Sequence, residues 1–222
     1  MNEETWSAVD RYIAETLAPS DAALESALAE NVAAGLPQIG VSLAQGKLLH
    51  LLALMEDARR ILEVGTLGGY STIWLARALA AGGRLITLEI DPKHAAVARK
   101  NLERAGLAEM VEVRVGPAAE SLVALHKEEA EPFDMIFLDA DKQNNPVYLG
   151  WALKLARPGT LIVIDNVVRE GAILDAASTD PAIQGVRRLF EMIAAEPRLS
   201  ATVIQTVGSK GYDGFALAIV VS

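Results

Sequence analysis

Arg60-Ile61-Leu62-Glu63-Val64-Gly65-Thr66-Leu67-Gly68-Gly69-Tyr70-Ser71 decides the fold of this chain. A short apolar run ends in a glycine-rich turn, and helix-forming sequence follows over 70–81. The unit then repeats. Strands are expected at 84–89, 110–115, 133–139 and 160–165, with helices at 92–105, 118–128, 144–156 and 181–195 between and after them. Such alternation predicts a doubly wound, mostly parallel sheet. The end of the chain, 201–206 and 214–220, reads as a hairpin closed by 208–213, so one antiparallel strand is expected at a sheet edge. Ahead of Arg60 the periodicity is helical at 5–18, 21–34 and 42–57. Ser20-Asp21 and Ser42 read as N-caps, and Gly35-Leu36-Pro37 as a stop. No repeat or long linker divides the sequence, so 1–222 is expected to form one domain that includes the helical extension 1–57.

Composition narrows the function. The 222 residues are 51% hydrophobic, enough for one large α/β domain with a sizeable core. The absence of cysteine excludes disulfides, thiolate zinc sites and cysteine nucleophiles, and fits a cytoplasmic protein. His50, His94 and His126 show no ligand spacing. The net charge is -9, and no run of Lys and Arg offers phosphate contacts, so no nucleic-acid partner is expected. Met1-Asn2-Glu3-Glu4-Thr5-Trp6 lacks the basic-then-apolar order of a signal peptide. No uncharged apolar stretch is long enough to span a bilayer, so no membrane partner is expected.

Two strands end in acid. Phe133-Asp134-Met135-Ile136-Phe137-Leu138-Asp139 runs into Ala140-Asp141-Lys142, and Thr160-Leu161-Ile162-Val163-Ile164-Asp165 runs into Asn166. In a parallel sheet such residues emerge at the ligand-binding edge. Asp139, Asp165 and Asn166 would present three hard oxygen ligands to a divalent cation such as Mg²⁺, Ca²⁺ or Mn²⁺, with Lys142 as a nearby base. The plainer alternatives are helix-capping acids and a salt-bridged surface lysine.

The Gly65 turn adds a second half-site. Its glycines allow close approach of a ligand, and the helix behind it favours a carboxylate or phosphate. The dinucleotide pattern Gly-x-Gly-x-x-Gly would place its second glycine at Leu67, which counts against a pyrophosphate. Glu89 ends the second strand, 24 residues after Gly65, where a carboxylate can hold both hydroxyls of a ribose. Together these describe a nucleoside bearing a small carboxylate, the profile of S-adenosylmethionine. An NAD(P)-dependent oxidoreductase and a non-catalytic S-adenosylmethionine-binding protein remain alternatives at this point.

Leu62-Glu63-Val64-Gly65, Gly68-Gly69-Tyr70-Ser71, Leu88-Glu89-Ile90-Asp91, Leu138-Asp139-Ala140-Asp141-Lys142 and Ile164-Asp165-Asn166-Val167 resemble the cation-dependent O-methyltransferases, the group of caffeoyl-CoA and catechol O-methyltransferases, and its small bacterial members above all. The likeness runs from about residue 36 to the end. It implies a Rossmann-like class I methyltransferase: a seven-stranded, mostly parallel α/β sheet with a reversed edge strand. It further implies that Glu63, Gly65, Thr66 and Ser71 surround the methionine end of S-adenosylmethionine. Glu89 would hold the ribose, Ala118 lie near the adenine and Val41 touch the cofactor from the N-terminal segment. Asp139 would meet cofactor and metal, Asp165 and Asn166 would complete the metal's protein ligands, and Lys142 would be the general base. The substrate would be a small ortho-dihydroxy aromatic, catechol or caffeoyl-like, and the protein a homodimer.

Leu43-Ala44-Gln45-Gly46 departs from the family's Pro-Glu-Gln-Gly-like stretch. Arg169 and Glu170 replace an aromatic and a substrate-binding asparagine of plant members, which counts against coenzyme A esters. Segment 167–182 and the N-terminal helices are expected to select the acceptor. Tyr212 is a candidate for the substrate pocket, Trp151 and Phe190 for the core, and His126 for the surface.

Overall fold

In the computed structural model, which describes residues 3–17 and 20–222, the alternation becomes a single seven-stranded sheet with helices on both faces. Three helices come first: α1 (Glu3–Leu17), α2 (Ala22–Ala33) and α3 (Leu43–Met55). Then follow β1 (Arg60–Val64), α4 (Tyr70–Ala76), β2 (Arg84–Glu89), α5 (Pro92–Arg104), β3 (Val111–Val115), α6 (Ala118–Lys127), β4 (Phe133–Leu138), α7 (Asn145–Leu155), β5 (Ala156–Asp165), α8 (Pro181–Ala195), β6 (Leu199–Gly208) and β7 (Gly211–Val220). A single turn of 3-10 helix stands before α7, at Lys142–Asn144, and a 3-10 segment kinked at Glu170 and Gly171 follows β5, at Arg169–Leu174.

The strand order is β3-β2-β1-β4-β5-β7-β6. β1 to β5 run parallel, and the order reverses between β1 and β4. A crevice opens beyond the carboxyl ends of the strands at such a point. β7 is antiparallel to β5, and β6 covers it from outside, so the reversed strand belongs to the edge hairpin and pairs directly with the strand that carries Asp165.

Alternation along the strands builds two cores. Ile61, Met135, Phe137, Leu161 and Val163 pack towards α2, α3 and α4. Their neighbours Leu62, Ile136, Leu138, Ile162 and Ile164 pack towards α6, α7 and α8. Strands buried on both faces read as continuous apolar runs, which is why each was visible in sequence. Trp151 and Phe190 pack at the edge of the second core, and His126 is exposed in the last turn of α6.

Local chemistry sets the ends. Asp21 caps α2 through the Ala23 and Leu24 amides, and Ser42 and Gln45 form a reciprocal capping box on α3. α4 stops at Ala76, short of the expected residue 81, because the Ala80 N–H is drawn to the Ala58 carbonyl and the chain turns back towards β2. β5 begins earlier than expected. Its pairing with β4 shifts register between Ala156 and Leu161, and the Thr160 hydroxyl donates to the Phe133 carbonyl there. The hairpin is tighter than its six-residue loop suggested, with Gly208 paired to Gly211. Residue 18 of the first expected helix and Met1-Asn2 of the N-terminal stretch lie outside the described residues. Among the described residues no helix is long and apolar enough to cross a membrane.

Candidate active site

Two cavities meet at the carboxyl edge of the sheet. The first, of about 730 Å³, is walled by the Gly65 turn, Glu89, Pro117-Ala118 and the Asp139–Asn144 loop. The second, of about 470 Å³, lies between α1, α3 and the β6–β7 hairpin. Ile39, Gly40, Val41, Asn166 and Arg169 line both. The sequence-predicted residues gather here. Val41, Gly65, Thr66, Ser71, Glu89, Ala118, Asp139, Lys142 and Asn166 line the first cavity, and Asp165 with Asn166 the second. Glu63 lines neither. It is wholly buried beneath the turn.

In the first cavity the backbone prepares the acids. The Thr66 and Leu67 N–H groups donate to Glu89 Oε2 at 3.2 and 2.8 Å, and the Asp91 N–H to Oε1 at 2.9 Å. The fixed carboxylate keeps further lone pairs for a diol. Beneath it, Glu63 accepts from Ser71 Oγ at 2.6 Å, Thr72 Oγ1 at 2.5 Å and Thr87 Oγ1 at 2.7 Å. Burial pushes the Glu63 carboxyl up to about 7 against the pull of these hydroxyls. Glu63 therefore acts on the cavity through Ser71 and holds the first turn of α4.

The glycines of the turn answer to protein packing. Gly65 has φ +99°, and a Cβ there would overlap the Asp139 carbonyl. Gly68 lies against the Asn31 side chain of α2, and Asn101 Nδ2 donates to its carbonyl at 2.9 Å. Packing alone thus calls for glycine at both positions, a cause apart from the expected close approach of a ligand.

At the seam between the cavities, Lys142 Nζ donates to Asp139 Oδ1 at 2.7 Å, with both side chains largely buried. Asp165, 5% exposed, accepts the Asn166 N–H at 2.8 Å. Burial pushes its carboxyl up to about 7, the Asp139 charge adds to the rise, and Lys142 relieves it in part. Asn166 leaves the strand with φ +54°, a conformation asparagine tolerates, and so turns from one cavity to the other. Among the described residues no three His, Cys, Asp or Glu side chains group as metal ligands, so any cation here rests on the two aspartates and an amide.

Other site residues carried weak sequence signals. His94 Nδ1 lies 3.5 Å from Glu89 Oε1 in the first turn of α5, a neighbour that ligand spacing among histidines does not reveal. Tyr148 donates to Asp141, and burial pushes its phenol up. Asp213 Oδ1 accepts the N–H groups of Val168, Arg169 and Gly214 at 3.0, 2.8 and 2.9 Å. Tyr212 lines neither cavity and bonds to Gln205 instead.

The model of a family described as O-methyltransferase matches residues 15–219. A catechol O-methyltransferase of Niastella koreensis is 56% identical over 220 residues, 99% of this chain and 100% of the relative. An O-methyltransferase from Bacillus cereus, solved in complex with SAH, shares 61% identity and a TM-score of 0.98, covering 99% of this chain and 100% of that one. The O-methyltransferase TomG from Streptomyces achromogenes, involved in tomaymycin synthesis and solved with SAM, shares 50% identity and a TM-score of 0.97 over 100% of both chains. The strand-end acids and the glycine turn thus stand in a class I methyltransferase sheet, and the chain belongs to the O-methyltransferase family.

Proposed function

We propose that this O-methyltransferase moves the methyl group of S-adenosylmethionine to one hydroxyl of an ortho-dihydroxy aromatic, with the help of a divalent cation, Mg²⁺ being the first candidate. The observation that carries the reading is the seam. Asp139 faces the first cavity, Asp165 the second, and Asn166 both, at the ends of adjacent parallel strands. Neighbours that hold SAH or SAM support the donor, and the name of a 56% identical relative supports a catechol acceptor. Family membership removes the oxidoreductase alternative.

The donor set fits a cation. Asp165 and Asp139 are neighbouring carboxylates: burial is the main cause of the rise at Asp165, the Asp139 charge adds to it, and Lys142 offsets it only in part. Asp139, Asp165 and Asn166 would hold the ion, which when bound supplies Lewis acidity towards a phenolic hydroxyl. The chain's own residues do the rest. Glu89 and the α4 N-terminus hold the donor by its ribose and carboxylate, which aligns the methyl carbon for in-line displacement. The acceptor oxygen forms a bond to that carbon while the sulfur leaves with its electron pair as a thioether. The phenolic proton passes to Lys142 Nζ.

A second copy of the chain is the proposed partner, supported by exposed apolar residues on the N-terminal helices, among them Val9, Tyr12, Leu51, Leu54 and Met55. The test of the main reading is catechol methylation by chelator-treated enzyme with and without added Mg²⁺. Activity is expected to need the metal and to fall at least about a hundredfold in Asp165→Ala. Full turnover in chelator would refute the cation, and no methylation of any ortho-diol would refute the acceptor class.

A further inference from the structure

We infer that Arg169 reads a carboxylate on the acceptor, so that this enzyme prefers ortho-dihydroxy aromatic acids to neutral catechols. The inference rests on the acceptor class proposed above and narrows it. Arg60, Arg77, Arg104, Arg114 and Arg157 each have an acid within 4 Å. Arg84, Arg99 and Arg187 reach backbone carbonyls instead. Among the described residues Arg169 has no ion pair, and its Nε is sealed from solvent without a hydrogen-bond partner. Arg169 is half-buried and lines both cavities. A buried donor without a partner is unfavourable, and a bound anion would remove that cost.

Four acids line the second cavity: Glu170 is exposed and makes no ion pair with Arg169, and the other three are turned elsewhere. Asp10 is turned to the Ser209 N–H, Asp165 to the Asn166 N–H, and Asp213 to the backbone of Val168, Arg169 and Gly214. Lys210, the other cation of that wall, donates to the Gln38 carbonyl. The backbone that carries Arg169 is fixed in an unusual conformation. Arg169 and Glu170, neither a glycine, take φ +54° and +56°, and Asp213 fixes that turn through the Arg169 amide. Backbone strain of this kind persists where surroundings impose it, and it clusters at binding sites.

The planar guanidinium matches a carboxylate's two oxygens. The donor brings one carboxylate, which on the reading above goes to Ser71 and the α4 N-terminus, residues that line the first cavity and not the second. Arg169 stands four residues after Asp165, at the acceptor's end. A carboxylate on the ring or on a short side chain, away from the two hydroxyls, would reach it while the diol faces Asp165 and Asn166.

The experiment compares 3,4-dihydroxybenzoate with its methyl ester in steady-state assays of wild type, Arg169→Gln and Arg169→Lys. Wild type is expected to favour the acid by about tenfold or more in kcat/KM, chiefly through KM. In Arg169→Gln the acid-to-ester ratio should collapse towards one, and Arg169→Lys should restore part of it. The wild-type ratio needs no variant, so misfolding cannot mask the result. A wild type indifferent to the carboxylate, or a variant that raises the KM of S-adenosylmethionine as much as that of the acid, overturns the proposal. Failure to methylate acid and ester alike would instead refute the ortho-dihydroxy reading itself.

Discussion

At the scale of single residues, Glu63 carries the clearest pH signature. Its carboxyl is fully buried, and three hydroxyls point at it. Thr66 Oγ1 extends the chain of hydroxyls through Thr87 Oγ1 at 2.6 Å. Burial raises the folded-state value to about 7 from the ordinary 4.5. The sign follows. Below about 4.5 the acid is protonated in both the folded and unfolded chain. Between 4.5 and 7 the unfolded chain releases its proton while the folded one keeps it, so stability falls as pH rises, and above 7 the loss is complete. The gap corresponds to about 3 kcal/mol. Glu63→Gln keeps the shape and removes the titration. Part of the loss has already occurred by pH 5, so urea unfolding between pH 5 and pH 8 should show wild type losing about 2–3 kcal/mol more than the variant. Parallel curves for the two proteins would mean that Glu63 stays ionised throughout.

At the scale of elements, α8 positions the Lys142 turn without contributing a residue to either cavity. Gly185 faces the carbonyl of Lys142 and the backbone of Gln143, and an added Cβ would lie 2.6 Å from the Gln143 Cα. Those atoms are backbone and cannot swing aside. Gly185→Ala should therefore shift the turn, destabilise the fold by about 1–3 kcal/mol, and lower kcat more than it changes the KM of S-adenosylmethionine, because the donor's ribose and carboxylate sites lie on other elements. Gly150 on α7 supplies the control, since a Cβ there meets nothing within 4 Å. Gly150→Ala should raise stability by about 0.5–1 kcal/mol from helix propensity, with kcat intact. Thermal melts and steady-state kinetics read both. A Gly185→Ala enzyme with wild-type kcat would show that Lys142 is not held from α8.

At the scale of the whole molecule, what sequence reveals tracks how local the cause is. The apolar strands, the caps at Asp21 and Ser42, and the acids at strand ends are set by neighbours in sequence, and each is legible there. The roles of Gly68 and Asp213 are not, because Asn31 and the Val168–Arg169 backbone reach them from 37 and 44 to 45 residues away. The division of the site into two cavities is hidden for the same reason, and its farthest contact closes the second one. Asp10 on α1 accepts the Ser209 N–H at 2.7 Å across 199 residues, so the first helix holds the last hairpin turn. Gly208 lies against the same carboxylate. Asp10, Gly208 and Lys210 line the second cavity and none lines the first. Asp10→Ala removes one charge-assisted bond, worth about 1 kcal/mol of docking at an exposed site. The hairpin turn should then loosen, the acceptor KM should rise several-fold, and the KM of S-adenosylmethionine should stay within about twofold. Asp10→Asn, which keeps the accepting oxygen, should recover most of the loss. Equal rises in both KM values would show instead that the two cavities form one continuous site whose closure depends on α1.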